Sequence, residues 1–222
     1  MEATAQTATP TRPYTLFGAP GSGSAAVEIA LARAGQEWRE VRAATWLAGS
    51  AMDELGAVNP LRQVPTLVTP EGHVLTESAA ILVGLGLAHP ASGLLPMDVA
   101  SRAQVIRGLV WIAANCYSCI GVIDYPERWL PQADEATRKA LIEGAKDRLH
   151  VHWDLFADQF PAAPWLSGDA LGALDALTVV VSRWSGSRRH LQASRPAFHE
   201  LLQRIEAHPD VAPVIARHWP AT

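Results

Sequence analysis

Two short segments of the sequence carry residue types that can hold a small peptide. Pro65 stands immediately before an apolar strand, where a proline cannot donate to the sheet, and an X-Pro bond adopts the cis form at a cost of only about 0.5–1 kcal/mol. A cis bond would turn the backbone N–H and C=O of Val64 outward, ready to pair with an extended peptide. Further on, Thr76 or Glu77 begins a helix, whose free N–H groups and dipole favour a carboxylate, and Ser78 adds a hydroxyl donor. The two segments together predict a site for a small peptide that carries a terminal carboxylate.

A glycine-containing turn near the N-terminus permits a different chemistry. Gly21, Gly23 and Ala26 fit the pattern G-x-G-x-x-A, which holds a dinucleotide pyrophosphate at a helix N-terminus. A dinucleotide-binding sheet needs continued alternation of strands and helices, and here the strand pattern stops by Leu75. Glu40 lies near the distance expected for a ribose-binding acid, but it sits in a strand with an already polar edge. The turn therefore favours another use of the helix start.

Composition excludes several classes of partner. The chain has 222 residues, a formal net charge of −4 and no run of Lys and Arg, so a nucleic-acid partner is not expected. We expect no stretch of membrane-spanning length and no signal sequence, hence a soluble cytoplasmic protein. Two cysteines, Cys116 and Cys119, exclude a disulfide framework by number and lack nearby His partners for zinc, so no metal site is predicted. We expect them to pack as small apolar side chains inside a helical bundle.

The elements that must position these residues fall into two groups. Apolar runs and Gly/Pro punctuation predict a β-α-β-α-β-β-α order up to residue 88. The strands are expected at 14–17, 38–41, 66–68 and 74–75, and the helices at 24–34, 50–58 and 77–87. Helical periodicity then dominates, at about 99–123, 135–160, 172–185, 196–207 and 209–218. The ambiguous run 177–181 is interpreted as a buried helix.

This layout predicts a small α/β domain followed by a larger helical domain. Residues 1–13 have no periodicity and are interpreted as a flexible tail. The α/β domain is placed at 14–88, the linker at 89–98 and the all-helical domain at 99–222.

The segments "NPLRQVPTL" (59–67) and "TESAAIL" (76–82) resemble those of the soluble, bacterial-type glutathione transferases. The resemblance extends from Tyr14 to the C-terminus and implies a thioredoxin-like N-terminal domain with glutathione as co-substrate. It implies that Val64, before a cis Pro65, pairs with the cysteinyl backbone of glutathione. Glu77 would face the γ-glutamyl ammonium and Ser78 its carboxylate, with Gln63 as a secondary binding candidate.

The chain departs from the family where the thiol is activated. Members use a Tyr, Ser or Cys near the start of the first helix, and the matching positions here hold Phe17, Gly21 and Gly23. A slip of one residue would bring Ser22 to the serine position, so Ser22 and the N–H groups around Gly23 and Ser24 are the activator candidates. The alternative is that the two serines only cap the helix.

A second substrate would lie between the domains, against the first long helix of the helical domain. Asn115 is a catalytic candidate because it could reach the thiolate, or else it bonds to its own backbone. Tyr117 or Trp111 could form an apolar wall for the electrophile, or both could be bundle core. Asp175, three residues after Gly172, resembles a structural helix start of the family and is not assigned a catalytic role.

The resemblance and these residues predict a glutathione transferase, which joins the glutathione thiolate to a small hydrophobic electrophile. The family also implies a homodimer. Two alternatives stay open because the standard activators are missing. One is a non-catalytic binding or regulatory protein with the same fold, and the other is a glutathione-dependent disulfide reductase.

Overall fold

The structure is a computed structural model that describes residues 12–220. Of the tail expected at 1–13, only Arg12 and Pro13 belong to the described residues, and both are exposed. The rest of that segment lies outside them.

The N-terminal part is a four-stranded sheet with three helices, in the predicted order βαβαββα. The elements are β1 (Tyr14–Gly18), α1 (Ser24–Arg33), β2 (Trp38–Arg42), α2 (Met52–Val58), β3 (Thr66–Val68), β4 (Val74–Thr76) and α3 (Ser78–Ala88). The strand order is β2-β1-β3-β4, with β1 parallel to β2 and antiparallel to β3, and β3 antiparallel to β4. This mixed sheet is the thioredoxin-like arrangement that the family resemblance implies.

The C-terminal part of the described chain is helical. Its helices are α4 (Val99–Trp111), α5 (Ser118–Asp124), α6 (Glu135–Gln159), α7 (Ala173–Val181), α8 (Ser187–Ser194), α9 (Pro196–Glu206) and α10 (Ala212–His218). A π-helical turn, Ile112–Tyr117, joins α4 to α5 without a break in the helix. The ambiguous run 177–181 is helical, as predicted, and α8 is an additional helix that the sequence analysis did not predict.

The continuous helix Val99–Asp124 corrects one expectation. It has 26 residues and is long and apolar enough to cross a membrane by length and composition, so the expectation of no such stretch was wrong. One third of its most apolar window is buried, and the helix packs against α6 and α7. Apolar residues on one face of this helix pack against α6 and α7, and residues on another face line the cleft described below.

One apolar core runs through both parts. It joins Leu16 of β1 and Ile29 of α1 to Leu109 of α4 and Leu177 of α7, all four of them inaccessible to solvent. The interface therefore fixes the N-terminal sheet relative to the long helix of the C-terminal part, and the candidate site lies along this junction.

Candidate functional site

A cleft of about 1080 Å³ opens between the N-terminal part and the continuous helix Val99–Asp124. One wall consists of the loop before β3, the start of α3 and the start of α1. The other consists of the π turn, α5 and the segment around Trp184. Of the predicted site residues, Ser22, Gln63, Val64, Pro65, Glu77, Ser78 and Tyr117 line this cleft.

The loop before β3 presents a free peptide edge to the cleft. The Val64–Pro65 peptide bond is cis. Within residues 12–220, neither the N–H nor the C=O of Val64 takes part in a hydrogen bond. Pro65 is buried and holds the loop against the protein, whereas Val64 is half-buried and leaves its backbone accessible from the cleft. A strand-like segment with an unused donor and acceptor can pair with an extended peptide.

Asn59, which the sequence analysis did not single out, holds this loop. Its buried side-chain amide donates to the Gln63 carbonyl at 3.1 Å and to the Thr66 hydroxyl at 2.9 Å, and its Oδ1 accepts the N–H of Leu61 at 3.0 Å. The Thr66 hydroxyl also donates to the Gln63 carbonyl, at 2.8 Å. The Gln63 backbone is thereby fixed, while its side chain is exposed at the cleft. The available sequence signal was a polar residue in front of Pro60.

The start of α3 forms the second part of the peptide site. The Ser78, Ala79 and Ala80 N–H groups precede the first intrahelical bond, which runs from Ile81 N–H to the Glu77 carbonyl at 2.9 Å. No side chain of the described residues caps this end. Glu77 has a φ of 63°, a left-handed conformation that costs a non-glycine residue free energy and that clusters at functional sites. The exposed Glu77 carboxylate and the buried Ser78 side chain both border the cleft, beside N–H groups that favour an anion.

At the start of α1, the Ser22 side chain is occupied by its neighbours. Its hydroxyl oxygen accepts the N–H of Ser24 at 3.2 Å and lies 2.9 Å from the Ser24 hydroxyl oxygen. The Ser24 hydroxyl in turn contacts the backbone of Ala19, whose N–H donates to it at 3.3 Å. The Ser22 hydroxyl thus accepts one free N–H at the helix start, but the N-cap residue itself is Gly23, and no side chain of the described residues caps α1 there. Phe17, at the position of the tyrosine-type activator, lies in an apolar cluster with Leu55.

Tyr117 reaches across the cleft to the same helix start. A Cβ atom built on Gly23 would lie 2.6 Å from the Tyr117 hydroxyl oxygen and 3.4 Å from the Pro65 Cδ. This oxygen is buried and has no hydrogen-bond partner of normal geometry within the described part of the chain. Burial raises the pKa of Tyr117 to about 12; the nearby Ser78 hydroxyl opposes this rise, and the Glu77 charge adds to it. The group is therefore a neutral donor across the physiological range.

Two other predicted residues point away from the cleft. The Asn115 amide donates to the Trp111 carbonyl at 3.1 Å, within its own helix, and Asn115 does not line the cleft. The π turn explains this bond, because it interrupts the regular α-helical pairing of the preceding carbonyls. Trp111 packs edge-on against Phe160, 6.0 Å between ring centres, as part of the bundle core.

The loop before α1 is braced by side chains from the other end of the chain. The Gly21 N–H donates to Nδ1 of His218 at 3.2 Å, and the Trp184 indole N–H donates to the Gly21 carbonyl at 3.1 Å. Because the Gly21 N–H can only donate, Nδ1 carries no hydrogen, and the Nε2–H of His218 donates to Glu28 at 2.7 Å. Sequence reasoning missed all three side chains; the one signal was an acidic residue, Glu28, inside the apolar pattern of α1.

Asp175 is structural, in agreement with its interpretation. Its buried carboxylate accepts three backbone N–H groups, from Leu166 at 2.9 Å and from Ser167 and Gly172 at 3.0 Å each. The Ser167 hydroxyl accepts the N–H of Leu174 at 3.2 Å and so performs the cap function that Gly172 cannot perform. The element fixes the start of α7 in the core.

The cysteines take no part in the cleft. Cys116 and Cys119 are free and buried, and burial raises the pKa of both thiols. Within residues 12–220, no group of three or more His, Cys, Asp and Glu side chains converges to hold a metal ion.

A thioredoxin-like sheet followed by a helical second part is the fold of the soluble glutathione transferases. Residues 12–83 match the family model of the glutathione S-transferase N-terminal domain. The chain is 30% identical over 204 residues to the uncharacterized GST-like protein YncG of Escherichia coli K12, covering 91% of this chain and 97% of that protein. It is 27% identical over 198 residues to the glutathione S-transferase GstA of Escherichia coli O157:H7, covering 88% and 94%.

A solved structure extends the comparison to the fold. The glutathione transferase homologue from Sulfitobacter, crystallised with bound glutathione, superimposes with a TM-score of 0.80 at 24% identity, covering 91% of this chain and 96% of that chain. The protein described here belongs to the soluble, bacterial-type glutathione S-transferase family.

Proposed function

We propose that this protein is a glutathione transferase that conjugates glutathione to a small hydrophobic electrophile. In the reaction, the glutathione thiolate forms a C–S bond with an electrophilic carbon, the leaving group departs with its electron pair, and the thiol proton passes to solvent. The observation that carries the proposal is the unused Val64 peptide edge beside the uncapped start of α3, in one cleft. The bound glutathione of the Sulfitobacter homologue supports the choice of peptide.

The proposed pose of glutathione follows from the groups left free. The cysteinyl backbone would pair with the N–H and C=O of Val64. The γ-glutamyl carboxylate would accept from the Ser78 hydroxyl and from the N–H groups of the first turn of α3, and its ammonium would face the Glu77 carboxylate. Gln63, exposed at the edge of the cleft, would contact the peptide from outside.

The outer end of the cleft would hold the electrophile. Trp46 and Trp129 line it with exposed fractions of 56% and 59%, which is unusual for large apolar side chains. The Arg128 guanidinium lies 3.8 Å from the centre of the Tyr125 ring and extends this aromatic surface. Flat aromatic surfaces favour a flat apolar substrate over a strongly hydrated one.

Glutathione binding and conjugation of an aromatic halide test the proposal. Calorimetry should show binding by the wild type, and Ser78→Ala and Glu77→Gln should each weaken it about 10-fold, because each loses one hydrogen bond or charge contact. Glu200→Gln, on the exposed face of α9, should leave binding unchanged.

Each outcome decides between the proposed function and its alternatives. Absence of glutathione binding would contradict the proposal. Binding without conjugation would favour a non-catalytic binding protein, and reduction of a model disulfide without conjugation would favour the reductase.

Two further parts of the proposal concern the setting of the protein. We propose that it acts in the cytoplasm, where its two free cysteines stay reduced.

We also propose a homodimer, supported by exposed apolar side chains on the helical part, among them Val110 of α4 and Val151 and Leu155 of α6. Light scattering at micromolar concentration tests the dimer, and a mass equal to one chain would contradict it.

A further inference from the structure

The start of α1 contains a space that no side chain of α1 fills. Gly23 leaves it open, and the Tyr117 hydroxyl occupies it from the opposite wall, 2.6 Å from the position of a Cβ on Gly23. The Pro65 ring borders the same point at 3.4 Å from that position. The hydroxyl therefore lies beside both the N-terminus of α1 and the Pro65 ring, next to the peptide edge at Val64.

Within the described residues, the Tyr117 hydroxyl has no hydrogen-bond partner of normal geometry, whereas the Ser22 hydroxyl has two. The Tyr117 oxygen is buried, and no group in the part of the chain that the structure describes meets hydrogen-bond geometry with it, although the Ser78 hydroxyl is close enough to affect its pKa. A buried polar atom without a partner is costly and calls for a ligand, a water or a functional explanation. The Ser22 hydroxyl, in contrast, is already engaged by the N–H and the hydroxyl of Ser24.

The Tyr117 side chain is held in its direction by the π turn and by Trp184. A π turn adds one residue to a helical turn and so rotates the following side chains by about 100° relative to a regular α-helix. Tyr117 is the last residue of this turn, and its ring packs edge-on against Trp184 with 5.7 Å between ring centres. Trp184 also donates to the Gly21 carbonyl, so one indole braces both the tyrosine and the loop before α1.

We propose that Tyr117, carried by the helical domain, is the residue that stabilises the glutathione thiolate in this protein. The inference rests on the proposed function, because it needs glutathione in the cleft. The thiol proton leaves to solvent, the Tyr117 O–H donates to the resulting S⁻, and the sulfur then attacks the electrophilic carbon. The tyrosine keeps its proton throughout, and it takes the place of the activators absent at Phe17, Gly21 and Gly23.

The decisive measurement is the pKa of the bound glutathione thiol, obtained from the ultraviolet absorbance of the thiolate as a function of pH. A hydrogen bond to an anion in a buried site shifts such a pKa by about 1–2 units. We expect Tyr117→Phe to raise the thiol pKa by this amount and to lower kcat/KM at neutral pH about 10- to 100-fold, with little change in the Kd for glutathione. Tyr14→Phe is the matched control, because that hydroxyl bonds to His89 outside the cleft.

A rescue variant separates catalysis from packing. Without the hydroxyl, the nearest atoms to a Cβ on Gly23 are the Pro65 Cδ at 3.4 Å and the ring carbon at 3.8 Å, so a serine fits there. We expect Gly23→Ser in the Tyr117→Phe background to lower the thiol pKa again. If Tyr117 had only a structural role, the added serine would leave the thiol pKa unchanged.

The outcomes distinguish this inference from the proposed function. If the wild type binds no glutathione, the proposed function itself fails. If it binds glutathione with a lowered thiol pKa that Tyr117→Phe leaves unchanged, the inference is overturned and the transferase stands. A rise in the thiol pKa in Ser22→Ala alone would assign the role to Ser22 instead.

Discussion

At the scale of single residues, Gly23 is required by what lies opposite it rather than by its own conformation. Its φ of −62° and ψ of −12° are helical, a conformation that any residue adopts. The restriction comes from the Tyr117 hydroxyl, which a Cβ would approach to 2.6 Å. A larger side chain at position 23 therefore requires a smaller one at position 117.

Gly23→Ala tests this pairing. We expect it to destabilise the wild type by about 1–3 kcal/mol, because the added methyl collides with a buried group. In the Tyr117→Phe background the same change should cost less than about 1 kcal/mol, since the contact opens to 3.8 Å. Urea unfolding of the four proteins measures the coupling, and equal costs in the two backgrounds would show that the residues do not compete for space.

Gly172 presents a related case at the start of α7. A serine would be a better N-cap in an isolated helix, but a Cβ here would lie 2.7 Å from both the Leu94 carbonyl oxygen and the Ser167 hydroxyl oxygen. We expect Gly172→Ser to destabilise the protein by about 1–3 kcal/mol in thermal unfolding.

The control is Gly144→Ala in α6, where a Cβ meets nothing within 4 Å. This substitution should raise the free energy of unfolding by about 0.5–1 kcal/mol, because alanine has the higher helix propensity. A more stable Gly172→Ser protein would mean that the cap outweighs the collision.

At the scale of the elements, α10 anchors α1 through the buried carboxylate of Glu28. Glu28 accepts from His218 and from Arg217 at 2.7 Å each. Burial alone would raise the pKa of Glu28, but the hydrogen bonds from His218 and Arg217 and the positive charge of Arg217 outweigh burial and hold the pKa below its ordinary value. The ionised carboxylate of Glu28 therefore stabilises the folded state.

The lowered pKa of Glu28 makes the free energy of unfolding depend on pH in the acid range. A lowered pKa in the folded state gives a stability contribution that is complete above the ordinary pKa of about 4.3 and is lost as the pH falls through the folded value. We expect Glu28→Gln to destabilise by about 1–3 kcal/mol at pH 7, and the difference from the wild type to shrink toward pH 3.

Chemical denaturation across this pH range measures the effect, with the exposed Glu200→Gln as control. A difference that stays constant with pH would contradict an ionised Glu28.

The order of the elements was predictable because its signals are local. Apolar runs, Gly35 after α1 and Pro65 before β3 mark the strands and helices within a few residues of where they lie. Helix α8 was missed because "SRRHLQAS" has Leu191 as its one buried large apolar side chain and gives no helical stripe. The direction of Tyr117 was not predictable, since the 3.6-residue period does not hold through a π turn.

The position of several candidate residues along one cleft was predictable for the same reason. The cleft residues from Gln63 to Ser78 lie close together in the sequence, so two motifs sufficed to predict that they lie near one another. The bracing of Gly21 could not be predicted, because its partners are 197 and 163 residues away in His218 and Trp184. Side-chain contacts across such separations leave no periodic pattern in a single sequence.

At the scale of the whole molecule, the two parts share one core and several polar links. Arg33 of α1 pairs with Asp210 near α10 at 2.8 Å, and the Gly21 N–H before α1 donates to Nδ1 of His218 in α10 at 3.2 Å. The apolar cluster runs without interruption from β1 to α10. Because neither part buries its apolar face alone, the thioredoxin-like sheet and the helices should form one folding unit.

We therefore expect a single unfolding transition for both parts. Hydrogen exchange measured by mass spectrometry in increasing urea should give peptides from β1 and from α7 the same midpoint, within error. Gly172→Ser, which acts in the helical part, should lower both midpoints equally, because a shared core transmits the loss of stability to the sheet. If β1 kept its midpoint while that of α7 fell, the two parts would unfold independently, and the cleft between them would open before either part melts.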